Sequence, residues 1–145
     1  MHRLLVGILA SLLIVPAAFA RRHSGFNISI SSDGEDITAC NQIRVTMGDE
    51  PALRAEEQID ASSLRSLKVT ADRNGGVRVT GWDGAGYAIT ACKAAANATD
   101  LAALRATLNG DELTAAGPED ETMVYFLVRA PRNAVLDLRA TNGAV

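Results

Sequence analysis

The stretch SLKVTADRNGGVRVTGW (66–82) decides how this chain is read. Leu67, Val69 and Ala71 alternate with polar residues ahead of Asn74-Gly75, and Val77 and Val79 alternate after it. Period-2 patterning on both sides of an Asn-Gly step is the sequence pattern of two strands joined by a turn. Register separates the possible turns. A two-residue Asn74-Gly75 loop would set Val69 opposite Thr80 and send the two apolar sets to opposite faces. A three-residue loop, Arg73-Asn74-Gly75 with Gly75 in the left-handed region, sets Val69 opposite Val79 and Ala71 opposite Val77. Asn-Gly recurs at Asn109-Gly110 and Asn142-Gly143, spaced by 35 and 33 residues. Such a period fits a repeat architecture, and a β-solenoid corner keeps the faces consistent as well as a hairpin does. Hairpin stack and solenoid coil therefore both remain open.

The same alternation extends outward. Phe26, Ile28 and Ile30 form one set; Ile43, Val45 and Met47 form another; Tyr87, Ile89 and Ala91 follow the central turn. Residues 48–63 lack clear alternation and are expected to form a long loop with at most one irregular strand. Leu101 and Leu104, spaced i, i+3 after Thr99, predict one short capped helix near 99–105. Strand patterning resumes at Leu104, Ala106 and Leu108, and again at Leu113 and Ala115. MVYFLV (123–128) is apolar at both parities, which predicts a central strand covered on both faces, ended by Pro131. Leu136, Leu138 and Ala140 make a last strand. The fold class expected is all-β: short antiparallel strands and Asn-Gly turns in a solenoid-like or sandwich-like stack. Only Ala144 and Val145 follow the third turn, so the protein is expected to continue past Val145.

The N-terminus reads as an export signal. Met1-His2-Arg3 is a basic start, Leu4 to Val15 is an apolar run of twelve, and Ala18-Phe19-Ala20 offers a cleavage site. A run that short does not span a bilayer, which takes about 20 residues. An uncleaved anchor is the competing reading, supported by Arg21-Arg22 directly after the cut. The domains expected are a signal peptide (1–20), a leader (21–25) and a single β-rich domain (26–145), located in the periplasm or at the cell surface of a bacterium. Removing Arg3 from the 14 basic residues leaves 13 against 17 acidic ones, a net charge of −4 without long single-sign blocks. Nucleic acid is thereby excluded as a partner, and no later segment is apolar enough to be a transmembrane helix. The two cysteines, Cys40 and Cys92, favour a disulfide in an oxidising compartment, worth about 4 kcal/mol in the chain-entropy account. Two buried thiols are the competing arrangement.

The segments SLKVTADRNGGVRVTGWDGAGYAITACKAA (66–95), LTAAGP (113–118) and VRAPRNAVLDLRATNGAV (128–145), with the export signal, resemble a bacterial adhesin family. Its members are envelope proteins carrying a domain of unknown function and are described as head regions of autotransporter adhesins. The resemblance covers 66–145 well and 26–65 loosely, through the patterns NGGVxVxGW and xAPxxxxLxLxxxNG. It implies a solenoid-like stack of short strands and supplies no catalytic residues. "Adhesin" here is a family label without residue-level chemistry.

Few chemistries remain available. After cleavage His23 is the only histidine, which leaves no Ser-His-Asp or Cys-His site and no multi-histidine zinc site. No phosphate-cradling or dinucleotide glycine motif occurs, so no cofactor is expected. Asp33, Glu35 and Asp36 in SSDGEDIT are weak candidates for a Ca²⁺ site, although a solvated acidic turn accounts for them as well. Asp72 and Asp83 flank the central segment as a conceivable carboxylate pair for glycoside chemistry, or as strand-end turn residues. Asn27 and Asn97 sit in N-x-S/T patterns. Trp82, the only tryptophan, and nearby Tyr87 are candidate ligand contacts, or else core aromatics. The expectation is a non-enzymatic envelope scaffold with an envelope protein or glycan as partner; the alternative is a carbohydrate-binding or carbohydrate-active protein using Trp82 and nearby carboxylates.

Overall fold

A computed structural model of the chain describes residues 28–32, 36–72 and 74–141. The expected signal peptide and leader, His23, Asn27, Asp33, Glu35 and the third turn at Asn142-Gly143 lie outside the described residues. Among the described residues eleven strands follow in chain order. β1 (Ile28–Ser32), β2 (Ile43–Met47) and β3 (Glu50–Pro51) form a small antiparallel sheet. β4 (Leu53–Ala61), β7 (Tyr87–Ala95), β10 (Thr122–Pro131) and β6 (Asn74–Trp82) form a middle sheet, in that spatial order. β11 (Val135–Ala140), β5 (Ser66–Ala71), β9 (Glu112–Ala116) and β8 (Arg105–Asn109) form an outer sheet. One helix, α1 (Ala98–Ala103), joins β7 to β8. The fold is all-β and sandwich-like.

β10 organises the layers. It lies between β7 and β6, and its side chains divide by parity. Val124, Phe126, Val128 and Ala130 enter the core shared with the outer sheet, beside Leu67, Val69, Ile89 and Leu113. Met123, Tyr125 and Leu127 enter a second core under the small sheet, against Ile43, Val45 and Met47. A strand apolar at both parities is what a middle layer demands. Burying a side chain such as Phe126, fully inaccessible here, contributes about 2–3 kcal/mol.

Cys40 and Cys92 form a disulfide, with their Cα atoms 5.3 Å apart. Cys40 opens a 3₁₀ turn (Cys40–Gln42) ahead of β2, and Cys92 is on β7. The bond therefore ties the small sheet to the middle sheet, two layers that share side-chain contacts but no ladder.

The central stretch is not a hairpin. β5 and β6 lie in different sheets, so Val69 does not face Val79. Val69 pairs with Leu138 and Leu113, while Val77 pairs with Phe126. The chain turns a corner from the outer sheet into the middle sheet, and Gly75 serves β10. A Cβ on Gly75 would fall 2.0 Å from the carbonyl oxygen of Val124, and its φ of +154° is a glycine conformation. Three pairings, β5–β9, β5–β11 and β6–β10, are parallel, so the strands are mixed in direction. Asn109-Gly110 does belong to a hairpin: Asn109 pairs with Glu112 across a Gly110-Asp111 loop, with positive φ at Gly110.

Two further differences concern local signals. The loop expected over 48–63 contains β3 and β4, the latter nine residues long. β4 is an edge strand whose inward positions are Ala55, Glu57, Ile59 and Ala61, so small and charged residues hide its alternation. The helix is capped by Asn97, whose side chain accepts from the Asp100 amide at 2.9 Å; Thr99 lies inside the helix.

Candidate functional site

The two flanks of the main sandwich differ. On the β4/β8 flank, α1 and an ion pair close the interlayer gap. Lys93 Nζ donates to Glu57 Oε2 at 3.0 Å and to the Leu104 carbonyl at 3.3 Å, and the Ala106 amide also reaches Glu57 Oε2, at 3.3 Å. The side chains are 11% and 31% exposed. Burial alone would raise the Glu57 carboxyl; the hydrogen bonds from Lys93 and Ala106 and the charges of Lys93 and Arg105 outweigh it and hold the group below its ordinary value. On the β6/β11 flank no described strand pairs with the outer edge of β6 or of β11. Val79, Leu136, Leu138 and Ala140 line that flank only partly buried against the core.

Trp82 ends β6 and points to the face of the middle sheet that also carries the small sheet, beyond that sheet's reach. Three contacts fix it. Its indole N–H donates to the Gly86 carbonyl at 2.9 Å, the Arg129 guanidinium lies 4.6 Å from its ring centroid, and Gly84 packs so closely that a Cβ there would meet the ring. The cation over the ring contributes about 0.5–1 kcal/mol at such a partly open place. Tyr87 is 2% exposed, and its hydroxyl donates to the Val135 carbonyl at 2.9 Å, bridging the two sheets. Burial pushes this phenol above its usual range.

Beside Trp82 opens a pocket of about 350 Å³ whose polar wall is Gln58, Asp60 and Ser62 and whose apolar wall includes Ala85 and Ala88. Gln58 Oε1 accepts from Thr90 Oγ1 at 3.0 Å, which turns the amide N–H groups away from Thr90. Asp60 Oδ1 accepts from the Ser62 amide at 3.0 Å and from its hydroxyl at 2.7 Å, and these bonds lower its pKa. A smaller pocket, about 170 Å³, lies next to the disulfide between Arg54, Glu56 and Met123.

The other residues singled out in the sequence are dispersed. Asp36 pairs with Arg78 at 2.7 Å, and among the described residues no group of three His, Cys, Asp or Glu side chains gathers to hold a metal ion. Asp72 and Asp83 stand at opposite ends of nine-residue β6, roughly 30 Å apart at the rise of a strand; Asp83 pairs instead with Arg132. Glycosidase carboxylates stand about 5–10 Å apart, so these two do not form such a pair. Gln58, Asp60 and Arg129 escaped the sequence reading because they belong to an unrecognised strand and to one read for its apolar residues. No described helix is long and apolar enough to cross a membrane. No family model, curated protein or solved structure matches the chain.

Proposed function

We propose that the chain is an exported, non-enzymatic scaffold of the bacterial cell envelope that binds a protein partner by strand addition along the β6/β11 flank. The observation that carries this reading is the asymmetry of the sandwich. One flank is closed by α1 and the Lys93–Glu57 pair. Among the described residues, the other leaves β6 and β11 as sheet edges with half-buried Val79, Leu136 and Leu138 behind them. An unpaired edge offers a row of backbone donors and acceptors, and an added strand gains both those hydrogen bonds and cover for the apolar rim. The β4 edge is guarded by Arg54, Glu56, Glu57 and Asp60, whereas Asn74 to Trp82 carries Arg78 as its only charge. Export is supported by the N-terminal sequence and agrees with the disulfide.

The test uses the protein in its own envelope. A photo-crosslinking residue at position 80, on β6, is expected to capture one partner covalently; the same residue at position 56, on β4, is expected to capture none. Equal capture from both edges, capture from neither, or specific turnover by the purified protein would overturn the reading.

A further inference from the structure

The geometry points to the pocket beside Trp82 as a binding site for a neutral pyranose oligosaccharide, separate from the β6/β11 flank and independent of what binds there. Charge and shape narrow the ligand. A cationic ligand would seek the aromatic face over which the Arg129 guanidinium already lies, 4.6 Å from the ring centroid. An anionic ligand would meet the Asp60 carboxylate, which lines the pocket. What remains is a ligand without charge, with hydroxyls on one side and C–H groups on the other.

The walls fit that description. Gln58 and Asp60 are two residues apart on β4 and so project from the same face, about 7 Å apart along the strand. Gln58 presents amide donors, since its oxygen is taken by Thr90; Asp60 presents the oxygen that Ser62 does not engage. A donor and an acceptor at that spacing match hydroxyls on one ring or on adjacent rings. Opposite them, Ala85, Ala88 and the part of the Trp82 ring that Arg129 and Gly84 leave uncovered give the apolar surface against which sugar C–H groups rest. The volume of about 350 Å³ is at the small end of ligand pockets, with room for a sugar ring or two. Both walls are preorganised: Trp82 is held by Gly86 and Arg129, Gln58 by Thr90, and Asp60 by Ser62. Preorganisation lowers the ordering cost of binding.

Trp82 is the only tryptophan, so the indole emission of the full chain reports on this pocket alone. Titration with cello-, malto- and chito-oligosaccharides of three to six sugar units is expected to give a saturable change in that emission with at least one series. Asp60→Asn retains an oxygen for Ser62 and removes the charge; Gln58→Ala removes the amide. Each is expected to weaken binding at least tenfold without moving the thermal midpoint, because both side chains are exposed. Sialylated or sulfated oligosaccharides are expected to give no response. The proposal is overturned if no neutral series gives a saturable response at millimolar concentration, if the charged sugars bind as well, or if both variants bind like the parent.

Discussion

Removing the Cys40–Cys92 bond isolates what holds the small sheet to the rest of the protein. The cysteines are 52 residues apart in sequence, and closing a loop of that size removes about 4 kcal/mol of denatured-state entropy at 25 °C. Replacing both by alanine also deletes two sulfurs that are 8% and 4% exposed at the residue level. Losing the packing of these buried sulfurs adds on the order of 1 kcal/mol. The total of about 4–5 kcal/mol is a large part of a typical net stability of about 5–15 kcal/mol. Equilibrium unfolding of C40A/C92A in urea, beside the oxidised parent, measures it, and a thermal scan is expected to show a midpoint lower by about 15 °C. Mass spectrometry without reductant fixes the reference state, since the oxidised parent is lighter than the dithiol by two hydrogens. A loss below about 1 kcal/mol at unchanged denaturant slope, or alkylation of both cysteines in the unreduced parent, would refute the reasoning, because the entropy argument needs the crosslink to persist in the unfolded chain.

Three further substitutions probe the layers separately. Gly75→Ala places a methyl 2.0 Å from the Val124 carbonyl oxygen at a φ of +154°; a loss of about 3 kcal/mol is expected in chemical denaturation, and a loss within 0.5 kcal/mol would mean that β10 does not crowd this residue. Phe126→Ala, at a fully buried position of the main core, is expected to cost about 3–5 kcal/mol by the same assay. Glu57→Gln tests the flank pair through pH. The Glu57 carboxyl lies below its ordinary value of 4.5 in the fold, so its stabilisation is fully present above that value and disappears as the pH falls through the lower folded one. The parent is therefore expected to exceed the variant by about 1 kcal/mol at pH 7, discounted for the partial exposure of the pair. The gap should close below pH 4.5, and a gap constant from pH 7 to pH 3 would contradict the assignment.

How much of this was legible in the sequence depends on what each residue answers to. MVYFLV (123–128) reads correctly as a strand covered on both faces because both parities are apolar, and that property is local. The cysteine pair reads correctly because the chain holds only two cysteines, and these two are bonded. β4 was hidden because Glu57, an inward-facing residue, is satisfied by Lys93, 36 residues further along the chain. The pocket beside Trp82 was half legible. The tryptophan stands out, but Gln58 and Asp60 become wall residues only once β4 is known to pair with β7. The resemblance to envelope adhesins rests on turns and alternation, which specify backbone geometry and leave the chemistry of the pocket unaddressed.

The Asn74-Gly75 step makes a corner and not a hairpin, although the apolar alternation fits both. Register within a strand pair is fixed by keeping apolar residues on one face, and a corner between two facing sheets satisfies the same condition. What separates the two cases is the residue that needs the glycine. In a hairpin, Gly75 would be demanded by its own loop. Here the crowding atom is the carbonyl oxygen of Val124, and the neighbouring side chain of Asn74 reaches the Thr122 carbonyl at 3.5 Å. Both contacts are to the beginning of β10, nearly fifty residues downstream. The Asn-Gly step thus admits a parallel neighbour as well as reversing the chain, and that neighbour is the strand from which both cores are built. A substitution that spared the local turn but filled the space above Gly75 would therefore loosen β10 before it loosened β5, and hydrogen exchange at the amides of residues 122–126 would show it first.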